Sequence, residues 1–291
     1  MKELDGKAVV ITGSSRGIGA ACARSAASRG AAIVVNGTDA AKCDEVVQAI
    51  KAAGGQAVAE IGDVADWSFA GRLIRRCIAE FGKIDGLVNN AGLSRLDLID
   101  EIDPDEFRKV VEINILGTAY CASHAIKAMK RQNSGSVVNI TSGSQAGVQA
   151  MSAYTGTKGA IASMTYSWAM ECAETGVRIN AVAPRAQTGM SAETIRYRTR
   201  KGMTQLAPTP TAESNTGIID YLLSDQGRDI RGQVFRIDGR LLSMMTHPAL
   251  LNPSLTRDEW TFEAVAEAFA TDLSKRQQPL GVVTMDAKLA K

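Results

Sequence analysis

Tyr154 stands four residues ahead of Lys158 in the stretch SAYTGTKGAI. On a helix, residues four apart share a face with Cβ atoms about 5–6 Å apart, so a phenol and an ammonium would point the same way. A phenol has an ordinary pKa of about 10 and makes a poor base at neutral pH. A neighbouring ammonium favours the phenolate, so this pairing suits proton transfer. Near the N-terminus, TGSSRGIGAA carries Gly13, Gly17 and Gly19 between an apolar run and a helical one. Glycines in that context permit a tight turn and let a pyrophosphate approach the N–H groups of a helix N-terminus. The spacing is G-x-x-x-G-x-G rather than G-x-G-x-x-G. No metal site is expected. His124 and His247 are the two histidines, neither lies within helical reach of another His or of a Cys, and both read as structural.

These residues need a scaffold, and the chain shows one. Short apolar runs recur at 8–12, 31–36, 57–64, 84–91, 136–142, 177–184 and 232–238, with room for a helix between successive runs. They are continuous rather than alternating, as in strands covered on both faces of a parallel sheet. The expected fold is α/β, a Rossmann-type doubly wound parallel sheet in three layers. Helices are expected over RGIGAACARSAASRG and over DAAKCDEVVQAIKAAGG, the second capped by Asp39. No Gly/Ser linker divides residues 1–245, which read as one nucleotide-binding catalytic domain. Residues 246–291 read as a C-terminal extension with one amphipathic helix, whose face of Phe262, Val265, Ala266 and Phe269 must be buried.

Composition narrows the function. The 291 residues are 45% hydrophobic and 22% charged with net charge +2, and 5% aromatic, so neither a phosphate-tracking face nor a base-stacking platform stands out. Nucleic acid is not an expected partner. The five cysteines, Cys22, Cys43, Cys77, Cys121 and Cys172, lack C-x-x-C spacing and fit a reducing compartment. No apolar stretch nears the ~20 residues of a membrane span. The expectation is a cytoplasmic protein with no membrane partner.

The ordered set TGSSRGIG, NNAG at 89–92, NILG at 114–117, ITS at 140–142 and YTGTK at 154–158 resembles the motifs of the short-chain dehydrogenase/reductase family over about residues 4–240. The resemblance implies a homo-oligomer, a tetramer or dimer. It implies that Tyr154 is the general acid/base between a ketone and its secondary alcohol, that Lys158 lowers its pKa and holds the nicotinamide ribose, that Ser142 holds the substrate oxygen, and that Asn114 anchors a water behind Lys158. It further implies cofactor contacts from Gly13, Ser14, Ser15, Arg16, Gly17, Ile18 and Gly19 in the turn. Asp63 and Val64, Asn90, Ala91 and Gly92, and Pro184 and Thr188 would contribute from later loops. Asn89 reads as a tie between strands. The position where an acid would bind a ribose 2′-hydroxyl is Gly37; with Arg16 in the turn and Asn36 or Thr38 able to bond a phosphate, NADP(H) is favoured and NAD(H) stays open through Asp39.

Two departures bear on substrate. Arg185 follows Pro184 where the family usually has glycine, and it reads equally as a contact to a substrate acid or phosphate and as an outward-pointing side chain. The lid segment 189–212 carries Arg196, Arg198, Arg200 and Lys201, which suit steering of a 3-oxoacyl or hydroxyacyl thioester as well as a solvated helix face. Met190 and Met203 suit an adaptable pocket or the packing of the lid. Three readings stand: an oxidoreductase for a small-molecule ketone/secondary-alcohol pair such as a bulky ring ketone or alcohol, a 3-oxoacyl-thioester reductase or hydroxyacyl-CoA dehydrogenase, and a nucleotide-binding scaffold without turnover.

Overall fold

The computed structural model describes residues 2–204 and 209–282. Eight strands form one sheet: β1 Ala8–Ile11, β2 Ala32–Gly37, β3 Gln56–Ile61, β4 Gly86–Asn89, β5 Gly135–Ile140, β6 Val177–Pro184, β7 Val234–Asp238 and β8 Leu241–Met245. Their spatial order is β3-β2-β1-β4-β5-β6-β7-β8. The first seven are parallel, and β8 runs antiparallel to β7. The helices are α1 Gly17–Ser28, α2 Ala40–Ala52, α3 Trp67–Phe81, α4 Pro104–Val111, α5 Gly117–Gln132, α6 Ser152–Glu171, α7 Gly189–Arg200, α8 Thr216–Leu223 and α9 Phe262–Thr271.

Every residue of β1, β4 and β5 is buried, which is why their sequences run apolar without alternation. One core joins one face of the sheet to α1, α2 and α8, through residues such as Val9, Ile33, Val88, Ala23, Val47 and Leu222. The other joins the opposite face to α3 and α5, through Val10, Val34, Leu87, Leu73, Cys121 and Met129. Asp39 caps α2 by accepting from the Lys42 N–H at 3.2 Å, as its sequence position suggested. Strand order reverses between β1 and β4, and in sheets of this kind the crevice at the carboxyl ends of such strands takes the ligand.

β8 was not among the expected strands. It forms a hairpin with β7 across Gly239 and Arg240, with Gly239 at φ 59°, and its signal was the Asp238–Gly239 pair ahead of an apolar run.

The chain separates into two compact units, Met1–Met245 and Thr246–Lys291. In the second, Thr261 caps α9 by accepting from the Ala264 N–H at 3.2 Å. The face expected to be buried is not. Phe262 is 82% exposed, Val265 and Phe269 are exposed too, and Ala268 is the buried residue of the helix. α9 carries Glu263 and Glu267 on one side, and Val265, Ala268 and Phe269 line an open groove of about 450 Å³ with Leu251, Leu255 and Trp260.

The buried Arg178 on β6 closes the first unit. Its guanidinium donates to the carbonyls of Leu222 and Gly227 at 2.8 and 2.7 Å and of Ser224 at 3.1 Å, satisfying the end of α8. Arg178→Met should therefore lower the free energy of unfolding in urea by about 2–4 kcal/mol, and a loss under about 0.5 kcal/mol would show that those carbonyls find other partners.

Candidate active site

The turn after β1 is built by backbone proximity. Gly13 and Gly17 have φ of 59° and 56°, in the region that favours glycine. A Cβ on Gly13 would lie 2.7 Å from the Ala91 Cα, and one on Gly19 would lie 2.4 Å from both the Asn90 Nδ2 and the Gly13 carbonyl oxygen. Asn90 donates its amide to the Thr12 and Gly13 carbonyls, both at 2.9 Å, while the Thr12 hydroxyl accepts the N–H groups of Asn90 and Ala91 at 3.0 Å. No side chain caps the start of α1 at Arg16. Its first-turn N–H groups therefore lack a side-chain acceptor, the arrangement that receives a pyrophosphate. Thr188, which caps α7 through a reciprocal bond with Ser191, brings its methyl to 3.4 Å from a Cβ built on Gly17. Ser15, Ile18, Gly92 and Pro184 are half-buried around this crevice, and Arg16 and Asp63 are exposed. Asp63 accepts from the Ala65 N–H at 2.9 Å, and Val64 is buried against Gly117.

Asn36 and Ser14 do something else. Asn36 is 1% exposed, accepts from the Gly13 N–H at 3.3 Å and donates to the carbonyls of Glu60 and Gly62 at 3.1 and 3.2 Å. The Ser14 hydroxyl is buried and donates to the Ile11 carbonyl at 2.6 Å. Both brace the turn, so the expected phosphate bond from Asn36 has no free amide hydrogen to make it. Thr38, which follows β2, is exposed. A Cβ on Gly37 would meet Ser15 Oγ at 2.9 Å and Cys43 Sγ at 3.0 Å, which crowds out a side chain there. Asp39 also holds an ion pair with Lys42 at 3.1 Å, beyond its capping bond. Asn89 donates to the Asn139 carbonyl oxygen at 2.9 Å and ties β4 to β5.

At the ends of β4 and β5 the residues expected to handle a proton converge. Ser142 opens a short turn by accepting from the Ser144 N–H at 3.2 Å, and its hydroxyl lies near enough to the Tyr154 phenol to lower its pKa. Tyr154 and Lys158 sit on α6 as the spacing requires, with Lys158 Nζ 5.4 Å from the Tyr154 ring centre. Lys158 is 3% exposed and donates to the Ile140 carbonyl at 2.7 Å. Asn114 lies in a single π turn, Glu112–Leu116, between α4 and α5, a distortion frequent at functional sites. Its carbonyl oxygen accepts from the Leu93 N–H at 2.7 Å, and its amide donates to the Leu93 carbonyl at 3.0 Å and to Thr157 Oγ1 at 2.9 Å. Thr157 in turn donates to the Tyr154 carbonyl at 2.8 Å. The support roles of Thr157 and Thr12 escaped sequence reasoning, although both lie inside the quoted motifs. Among the described residues no three His, Cys, Asp or Glu side chains gather as a metal site, and no helix is long and apolar enough to cross a membrane.

Burial sets the electrostatics. It pushes the Tyr154 phenol above its ordinary value, with the Ser142 bond pulling the other way. It also pulls the Lys158 ammonium down to about 8. The expected lowering of Tyr154 by Lys158 is thus reversed, because desolvation of the phenol dominates and the Lys158 ammonium is turned onto the Ile140 carbonyl.

The basic run of α7 is dispersed. Arg198 is buried and donates to the Thr204 carbonyl at 2.7 Å, Lys201 pairs with Glu101 at 2.7 Å and Arg200 lies over the Tyr197 ring; Arg196, Arg200 and Lys201 are all exposed. Met190 is exposed and Met203 half-buried. The lid expectation over 189–212 includes residues 205–208, which lie outside the described residues.

Residues 7–198 match the family model described as short chain dehydrogenase. The cis-4-hydroxycyclohexanecarboxylate dehydrogenase of Sinomonas cyclohexanicum is 38% identical over 242 residues, covering 80% of this chain and 95% of that protein. The 3-oxoacyl-[acyl-carrier-protein] reductase of Synechocystis sp. is 33% identical over 245 residues, covering 83% and 99%. A crystal structure of a short chain dehydrogenase from Mycobacterium avium superposes with a TM-score of 0.84 at 29% identity, covering 97% of this chain and 100% of that one.

The Lys158 value has a consequence for stability. From about 8 up to the ordinary 10.5 the unfolded chain holds a proton that the folded one has released, so this group makes stability rise with pH across that window. Below it, burying the charge opposes folding by an amount on the order of 3 kcal/mol. The unfolding free energy of the wild type relative to Lys158→Met should therefore increase between pH 8 and pH 10 in paired urea titrations. A flat difference would overturn the shift.

Proposed function

Because the chain belongs to the short-chain dehydrogenase family, and is thereby an oxidoreductase acting on alcohol and ketone groups, we propose that it moves a hydride between NADP(H) and a small ketone/secondary alcohol pair with Tyr154 as the proton donor and acceptor. The observation that carries this reading is the gathering of Ser142, Tyr154 and the buried Lys158, with Lys158 Nζ 5.4 Å from the Tyr154 ring centre and the Ser142 hydroxyl lowering the pKa of the phenol. The glycine turn fits the cofactor's pyrophosphate, since a side chain at residue 13 would collide with Ala91 and no side chain occupies the start of α1. Gly13, Ser15, Arg16, Gly17, Ile18 and Gly19 would hold it, with Thr38, Asp63, Val64, Asn90, Ala91, Gly92, Pro184 and Thr188 along the crevice. The bound nicotinamide supplies or accepts the hydride.

The residues of the chain handle the proton. A phenol raised by burial keeps its hydrogen at neutral pH, so Tyr154 is set to give it to a developing alkoxide. Ser142 donates to the same oxygen and stabilises its charge. Lys158 is placed to turn from the Ile140 carbonyl toward the ribose and to favour the phenolate after transfer. Asn114 has its amide hydrogens committed to Leu93 and Thr157, so its contribution to a proton relay is limited to the second lone pair of its carbonyl oxygen and to holding α6 in place.

NADP(H) is supported by the absence of a carboxylate at Gly37, the exposed Arg16 and the commitment of Asp39 to α2. A small ketone is supported over a thioester by the dispersal of the α7 cations, although a carrier-protein reductase stands among the relatives. The scaffold reading loses its main support because Arg185 is drawn to Asp238 at 2.8 Å. The reading includes residues 1–245 as the catalytic domain with 246–291 as its extension, self-association, and a reducing cytoplasm, which suits five free, buried thiols.

Tyr154→Phe should retain NADPH binding in a fluorescence titration while ketone reduction falls by about 10²–10⁴-fold; a variant as active as the parent removes Tyr154 from the chemistry. In the same titration NADPH should bind at least about tenfold more tightly than NADH, and Arg16→Ala should narrow that ratio. Tighter NADH binding would reject the assignment of the 2′-phosphate to Arg16.

A further inference from the structure

At the amino edge of the sheet, opposite the candidate active site, lies a second cavity, of about 210 Å³. It forms where parallel strands begin: Lys7 precedes β1, Asp85 precedes β4, Ser134 precedes β5 and Arg231 stands three residues ahead of β7. Arg178 of β6 and Arg228, in the turn after α8, complete its charged lining. One water needs about 15 Å³ by this measure, so the cavity has room for a small polar molecule.

The charges of this lining do not cancel. Each of its two carboxylates already has a lysine: Asp225 pairs with Lys7 at 2.7 Å, and Asp85 pairs with Lys83 at 3.1 Å and accepts the Ala8 N–H at 2.8 Å. The arginines are satisfied differently. Arg178 donates to the carbonyls of Leu222, Ser224 and Gly227, and Arg231 to those of Val177 and Thr175 at 2.6 and 3.1 Å. A carbonyl accepts a hydrogen without neutralising the charge behind it. Arg228 has Asp229 at 3.7 Å, with both side chains at least 80% exposed, where water screens the pair. Burial and then the charge of Arg231 pull the Arg178 guanidinium below its ordinary value, against support from Asp225 and Asp229, so the two buried-edge cations lie close enough to oppose each other.

Donors remain for a ligand. A guanidinium carries five N–H hydrogens. Arg231 commits two of them and Arg178 three to carbonyls, and the Arg228 guanidinium commits none to the described residues. Ser134 adds an exposed hydroxyl at the rim. Planar guanidinium forks match the oxygens of phosphate, and three of them around one polar cavity suit a doubly charged oxyanion better than a single carboxylate.

We propose that this amino-edge cavity binds a phosphate dianion, free or carried as the phosphomonoester of a small molecule. Arg231 and Arg228 supply the donors, and Arg178 supplies the fixed charge behind them. The bound anion ties the turn after α8 to the starts of β6 and β7. The site stands at the opposite edge of the sheet from Tyr154, so it does not depend on any reading of the reaction.

The test titrates inorganic phosphate and glycerol 3-phosphate into the full chain by calorimetry at constant ionic strength. Each titration is run with and without saturating NADPH, which competes for any phosphate held at the glycine turn. At least one of the two ligands should bind with a Kd of about 1 mM or lower, within about twofold of the same value when NADPH is present. Arg228→Glu and Arg231→Gln should each weaken that binding about tenfold or more. Tighter binding of glycerol 3-phosphate identifies an ester as the ligand, and tighter binding of inorganic phosphate identifies the free ion. Binding of neither, displacement by NADPH, or an affinity unchanged in Arg228→Glu overturns the site. Arg228 is 80% exposed, so its charge reversal tests the site in a folded chain even where Arg231→Gln fails to fold, and circular dichroism checks both variants.

Discussion

Ala91 occupies the space that a side chain on residue 13 would need, and the candidate site hangs from that contact. The Gly13 backbone can approach the loop after β4 because nothing projects between them. Asn90 and Thr12 then lock the two turns by exchanging bonds in both directions. The same loop continues to Leu93, whose N–H and carbonyl are both held by Asn114, and Asn114 reaches Thr157 on the helix that carries Tyr154 and Lys158. A continuous set of hydrogen bonds therefore runs from the glycine turn to the proton-transfer residues. Substituting a residue anywhere along it would disturb both the cradle and the chemistry.

The second constraint is desolvation. Placing Lys158 almost wholly out of water weakens its hold on its proton, and the Ile140 carbonyl compensates by accepting from it. The same burial keeps the phenol protonated. The site is consequently arranged around a neutral acid beside a weakly held cation, with the Ser142 hydroxyl as the polar contact between the phenol and the crevice. In the proposed transfer, charge would develop where few waters compete, which strengthens every fixed dipole aimed at it.

The Arg185 departure from the family pattern lies at the carboxyl edge of β6 and β7. Arg185 replaces a small residue at the end of β6, Arg236 lies against Gly143, and both converge on Asp238 of β7. β8 extends the sheet past this edge with exposed Leu241, Leu242 and Met244. The cofactor side, by contrast, keeps the glycine turn and the Asn90 loop intact.

Element order, the doubly wound sheet, the glycine turn and the placement of Tyr154 and Lys158 on one helix face were all legible in the sequence, because each depends on residues adjacent or one helical turn apart. Asp39 as a cap was legible for the same reason; the Asn89 tie, made to Asn139 fifty positions on, was legible only from its place at the end of a central strand. What the sequence left open was settled by residues far apart in the chain. Asn36 turns inward because Gly13, Glu60 and Gly62 converge on it, and Arg198 is buried because the chain folds back to Thr204. The direction of the Tyr154 shift follows from how deeply the phenol is enclosed, and the pairing of Arg185 with Asp238 follows from β6 and β7 lying side by side. Sequence spacing dictates which local geometry a segment can adopt; burial and charge neighbours depend on which segments meet, and only the folded chain decides that.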